Sequence, residues 1–86
     1  MIYYIRSHTL WVWGGKMGVS YKKLFHLLID REIRKTHLQK AAGIGASTLA
    51  KLGHDEYVSL DVLVRICGVL DCDIGDICEV TEVNSD

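Results

Sequence analysis

Ala46, Ser47, Ala50 and Lys51 share the outward face of one short segment, whose apolar residues Leu49 and Leu52 recur three apart on the other side. A helix with so small and polar an outer face can lie flat against another surface. In the major groove of DNA, which is just wide enough for a helix, side chains near its N-terminal end would reach base edges. None of these residue types forms a nucleophile with its base or a metal ligand set, so the chemistry on offer is recognition.

The surrounding stretch, Lys35 to Gly53, KTHLQKAAGIGASTLAKLG, must hold that face in place. Leu38, Ala41 and Ala42 repeat at three- and four-residue intervals on a preceding helix, with the alanines small enough to admit a second helix closely. Gly43 then ends the first helix, because a sharp reversal needs a residue at positive φ and glycine takes it without steric cost. Ile44 follows as an apolar plug. Two short helices joined by a tight turn are the layout of a helix-turn-helix.

The run LQKAAGIGASTLAKL resembles the DNA-binding unit of the Cro/lambda-repressor (Xre-like) helix-turn-helix family, and VSLDVLVRICGVLDCDIGDI is similar to the last two helices of its small members. The resemblance covers roughly residues 19 to 79. Its most specific parts are Ala42-Gly43-Ile44, Ser47 to Lys51, Ser59-Leu60-Asp61 and Leu70 to Ile74. It implies an all-α, five-helix lambda-repressor-like DNA-binding domain and a sequence-specific transcriptional regulator whose partner is double-stranded DNA.

By the same resemblance, Ala46, Ser47 and Lys51 contact bases. The alanine methyl can meet a thymine methyl, the serine can donate or accept, and the lysine can donate to guanine acceptors. Thr48 can reach a phosphate. Lys35 and Thr36 take the phosphate contact that family members make at the start of the first of the two helices. Arg34 stands where the family usually has a small hydroxyl N-cap, so either the helix starts later under Thr36, or Arg34 sits at an uncapped end and turns toward DNA. In the loop from Gly53 to Val58, Asp55 and Glu56 would be repelled by the backbone, which leaves His54 and Tyr57. Gly45 and Ala46 depart from the longer side chains of many relatives and shift weight to backbone contacts and DNA shape. Ser47 and Thr48 have a competing role as first-turn caps of their own helix.

Composition agrees. Residues 16 to 54 hold eight lysines and arginines against two acids, a local +6, whereas residues 55 to 86 hold Arg65 against nine acids, a local -8; the net charge is -1. A basic pole on a near-neutral chain suits phosphate, because counterion release follows local charge. The 86 residues make one domain, nearly half apolar and without proline. No apolar run approaches the roughly 18 residues of a membrane span. Cys67, Cys72 and Cys78 are odd in number and at spacings of no common zinc site, so they read as reduced packing thiols in a cytoplasmic chain with neither metal nor cofactor. No phosphate loop, paired carboxylates or nucleophile motif indicates an enzyme.

The remaining elements frame the motif. Residues 1–16 carry β-branched and aromatic runs at 2–5 and 10–13, which suit short strands or a hairpin; they form an N-terminal extension, and Met17 is an alternative start. The DNA-binding domain spans 17–79 and the acidic tail 80–86. A first helix from about Ser20, its N-cap, to Glu32 buries Tyr21, Leu24, Phe25, Leu28 and Ile29. Ser59 caps a fourth helix with Leu60, Leu63, Ile66, Cys67 and Leu70 inward and with Gly68 open to a close backbone approach. Asp73 caps a last turn, Ile74 to Ile77, and CEVTEV at 78–83 alternates like a strand.

A single short reading helix seldom supplies enough specificity, so a homodimer on two half-sites is expected, with the aromatic arm the natural contact. The competing reading is a protein-interaction or antitoxin-like module, since a fold does not settle a function. In that case replacing Lys35 and Lys51 together would leave its activity intact.

Overall fold

The computed structural model describes residues 16–83. In chain order these form β1 (Lys16–Ser20), α1 (Lys22–Asp30), α2 (Lys35–Ala42), α3 (Ala46–Gly53), α4 (Leu60–Leu70), a 3-10 turn (Ile74–Asp76) and β2 (Glu79–Val83). The fold is mostly helical. Among the described residues it has four α-helices and one two-stranded antiparallel sheet, which corrects the five-helix, all-α expectation.

The fifth helix is the 3-10 turn. Its Asp73 carboxylate accepts the Ile74 N–H at 2.8 Å, and Asp76 reaches back to the Asp73 N–H at 2.9 Å, a reciprocal cap closed within three residues. The chain then leaves into β2 before an α-helical turn can propagate. The alternation at 78–83 does form a strand, and its partner is β1, paired from Lys16↔Val83 to Ser20↔Glu79. The strand candidates at 2–5 and 10–13 lie outside the described residues.

A two-stranded sheet is marginal in water by itself. Here it is anchored where Ser20 meets Glu79, next to Tyr21 and close to Ile77, both almost fully buried. Lys23 adds an exposed ion pair to Glu79 at 3.6 Å and donates to the Gly75 carbonyl at 3.1 Å.

Because Ser20 is committed to the sheet, the N-cap position of α1 falls to Tyr21, one residue later than expected. Ser20 Oγ still accepts the Lys22 N–H at 3.3 Å, while the Tyr21 N–H donates to Asp55 Oδ1 at 3.0 Å, so the loop after α3 helps to start α1. Asp55 holds φ 55°, a left-handed conformation that aspartate tolerates better than most side chains.

The core is built from Tyr21, Leu24 and Leu28 of the first helical region, Leu38 and Ala42 of α2, Leu52 of α3, Leu63, Ile66 and Leu70 of α4, and Ile77. Each fully buried leucine or isoleucine contributes about 1.5–3 kcal/mol relative to exposure. The buried stripes are narrower than the sequence periodicity implied. Ala41 is exposed, Ile29 is 72% exposed at the end of α1, and Leu60 is 63% exposed one turn before α4's packed stripe begins at Leu63. A side chain placed at Gly68 would meet nothing within 4 Å, so no backbone among the described residues approaches it.

Ser59 caps α4 as expected, its Oγ accepting the Val62 N–H at 3.2 Å. At the other end Asp71 takes φ 54°, and the Cys72 N–H bonds the Cys67 carbonyl at 3.1 Å, which is the six-residue reversal of a Schellman motif. That reversal sets Cys67 beside Cys72. Burial, reinforced by Cys72, pushes the Cys67 thiol up to about 11.

An alkaline limb of stability follows from this shift. Below about pH 8.5 the thiol is neutral in folded and unfolded chains alike. From there to about 11 the unfolded chain loses a proton that the folded chain keeps, so stability falls as pH rises through that window. Burial also raises Cys78 and Tyr21, which adds to the same slope. Melting temperature measured across the window should decline, and less steeply in Cys67→Ala.

Candidate nucleic-acid interface

Gly43 sits at φ 68°, ψ 36°, the left-handed conformation its sequence position required. Its N–H and that of Ile44 return to α2, Ile44 bonding the Gln39 carbonyl at 3.1 Å. Ile44 is buried and Leu52 fully so, while Leu49 is half-buried. These three fasten α3 inward and leave Ala46, Ser47, Ala50 and Lys51 exposed on its outer face.

Neither helix of the motif has a side-chain cap. Arg34 occupies the N-cap position of α2 in extended conformation, so α2 begins at Lys35 and not later under Thr36. Gly45 occupies that position in α3, where Ser47 and Thr48 supply no N-cap bond. The first-turn N–H groups and the positive end of the dipole thus remain available to an anion at the start of each helix.

Arg34, Lys35 and Thr36 are exposed together, with Lys35 Nζ 4.8 Å from the Phe25 ring centroid, a cation–π contact that steadies the side chain without covering it. Thr48 is half-buried. Lys51 and Tyr57 share a shallow groove of about 500 Å³ with Met17, Gly18, Asp55 and Glu56. Tyr57 is 72% exposed, but its hydroxyl already donates to the Met17 carbonyl at 3.0 Å, so it must leave that acceptor before donating to a phosphate. Asp55 is engaged by the Tyr21 N–H, and the Tyr21 hydroxyl donates to the Glu56 carbonyl at 2.8 Å. The loop after α3 is thereby tied to β1 and α1.

Part of the basic pole lies elsewhere. Lys23 is held by Glu79 and Gly75, and Arg31 donates to the Leu70 carbonyl at the end of α4. Within the motif itself the positive charge rests on Arg34, Lys35, Lys40 and Lys51, all exposed.

The residues matched by the Cro/C1-type HTH DNA-binding domain profile are 23–82, which contain the whole of this motif and, but for the first residue of α1, its supporting helices. The chain belongs to the Cro/C1-type helix-turn-helix family. A crystal structure of the transcriptional regulator VanUg superimposes with a TM-score of 0.76 at 54% sequence identity, covering 78% of this chain and 89% of that one. No curated protein matched. As a Cro/C1-type protein it is a DNA-binding transcription regulator, and no helix among the described residues is long and apolar enough to cross a membrane.

One residue of this Cro/C1-type motif was not legible in sequence. Arg65, read there only as a lone cation in an acidic half, donates from α4 to the Gly43 carbonyl at 3.2 Å and pairs with Asp61 at 2.9 Å. The guanidinium braces the turn between α2 and α3 across 22 residues. Because its side chain is about half exposed, Arg65→Ala should cost no more than about 1 kcal/mol of stability by chemical denaturation. DNA affinity should fall by more than that loss of folded protein explains, because the turn sets the angle of α3.

Proposed function

We propose that this protein is a sequence-specific transcriptional regulator, acting as a repressor by occluding its site, that reads the major groove with α3 as a homodimer on two half-sites. The observation that carries the reading is the outer face of α3, with Ala46, Ser47 and Lys51 exposed over a fully buried Leu52 and a start free of side-chain caps. Ala46 and Ser47 make short-range base contacts and Lys51 the long one. Arg34, Lys35, Thr36 and Thr48 hold phosphates, and Tyr57 does so after releasing Met17. With so few long side chains at the start of α3, phosphate positioning and DNA shape supply much of the discrimination. VanUg, named as a transcriptional regulator, supports the regulatory role.

The test is selection from a pool of random short duplexes at two salt concentrations, followed by sequencing of the bound fraction. Enrichment of a motif repeated about 10 base pairs apart is expected, with affinity that falls steeply as salt rises. No retention at low salt would overturn the reading in favour of a protein-interaction or antitoxin-like module.

A further inference from the structure

Cys67 and Cys72 stand at the two ends of the reversal that closes α4. Asp71, at φ 54°, turns the chain back, and the Cys72 N–H donates to the Cys67 carbonyl at 3.1 Å. That bond holds the two Cα atoms within about 7 Å of each other, since only standard covalent lengths lie on either side of it. Disulfides span about 4.4–6.8 Å between Cα atoms. In a Schellman motif these same two positions also bring their side chains together. They do so here, where Cys72 is the neighbour that, after burial, does most to keep the Cys67 thiol protonated. The two thiols differ in access. Cys72 lines an open groove of about 470 Å³ between α1 and the chain after α4, whereas Cys67 is half-buried and does not border it. The third thiol, Cys78, is turned to the Ile74 carbonyl, to which it donates at 3.6 Å.

We propose that Cys67 and Cys72 are a reversible dithiol–disulfide pair whose substrate is a low-molecular-weight disulfide such as that of glutathione. The Cys72 thiol releases its proton to solvent, and the thiolate attacks one sulfur of the reagent. An S–S bond forms to Cys72 as the reagent's own S–S bond breaks, and the first half of the reagent leaves as a thiolate. Cys67 then gives up its proton and attacks the Cys72 sulfur, which expels the second half. The two protein thiols are oxidised to one disulfide, and the reagent's disulfide is reduced to two thiols that take up the two protons. No further oxidant enters. Access sets the order of attack, because only Cys72 meets the groove. The burial that keeps Cys67 protonated also prevents it from attacking first. A transient, sensing role of this kind is the usual one for a disulfide in a reducing compartment.

The pair is tested by equilibrating the full chain with excess glutathione disulfide, quenching with acid, alkylating the remaining thiols and measuring mass. Wild type should lose two hydrogens and keep a single thiol for alkylation, that of Cys78. Cleavage on the N-terminal side of aspartate cuts between Leu70 and Asp71, so the fragments that carry Cys67 and Cys72 should stay joined until reduced. Cys78→Ala should form the disulfide as readily as wild type, whereas Cys67→Ala should stop at one glutathione adduct on Cys72. A bridge to Cys78 would overturn the assignment. So would a wild-type chain that stays fully reduced or stops at the mixed disulfide. The wild-type fragment map decides between these outcomes even where a variant fails to fold.

Discussion

Lys51→Ala should weaken binding to the selected site by about 5- to 150-fold, the equivalent of about 1–3 kcal/mol, and should broaden the sequence preference at the position it faces. Lys51 is exposed near the end of the reading face, and its alanine variant removes a cation without touching the core. Lys35→Ala serves as the contrast. Exposed beside the uncapped start of α2 and proposed to hold a phosphate, it should lower affinity evenly across sequences when removed and reduce the salt slope by about 1 for each monomer bound. Competition binding with matched and mismatched duplexes separates the two. If both variants kept wild-type affinity and preference, α3 would not be the reading element.

The second large effect concerns stability. Leu52 is fully buried and joins α3 to the core, so Leu52→Ala should cost about 2–5 kcal/mol. In a domain of this size each kcal/mol moves the melting temperature by about 4–8 °C, so the variant should melt at least about 8 °C lower by circular dichroism. Small domains have limited stability to lose, and the upper part of that range would leave much of the chain unfolded at 37 °C. DNA binding should disappear with the fold, whereas Lys51→Ala melts like wild type. A Leu52→Ala chain of unchanged melting temperature would contradict the packing described.

Much of the local structure around the candidate site was legible because the rules involved act within one turn. Gly43's left-handed conformation, Ser59's cap on α4, Asp73's cap on the last turn and the outward set on α3 each depend on neighbours at most four residues away. Faces at the ends of helices were read less well. Ile29 and Leu60 satisfy the apolar period yet are exposed, because periodicity says which side of a helix is apolar and not how far along it the core extends.

What the sequence determined by itself is the motif: two short helices, the glycine turn between them and a small polar outer face, together with the family that those residues identify. Only the tertiary structure decided what holds the motif in place. The β1–β2 ladder joins residues as far apart as Lys16 and Val83, Tyr21 reaches Asp55 and Glu56 across 34 and 35 positions, and Arg65 finds the Gly43 carbonyl across 22. It also divided the basic pole, engaging Lys23 and Arg31 with the Gly75 and Leu70 carbonyls and leaving Lys51 exposed on α3. Local propensity carries no record of such contacts. They exist because packing the helices brings distant donors and acceptors within hydrogen-bond reach of one another.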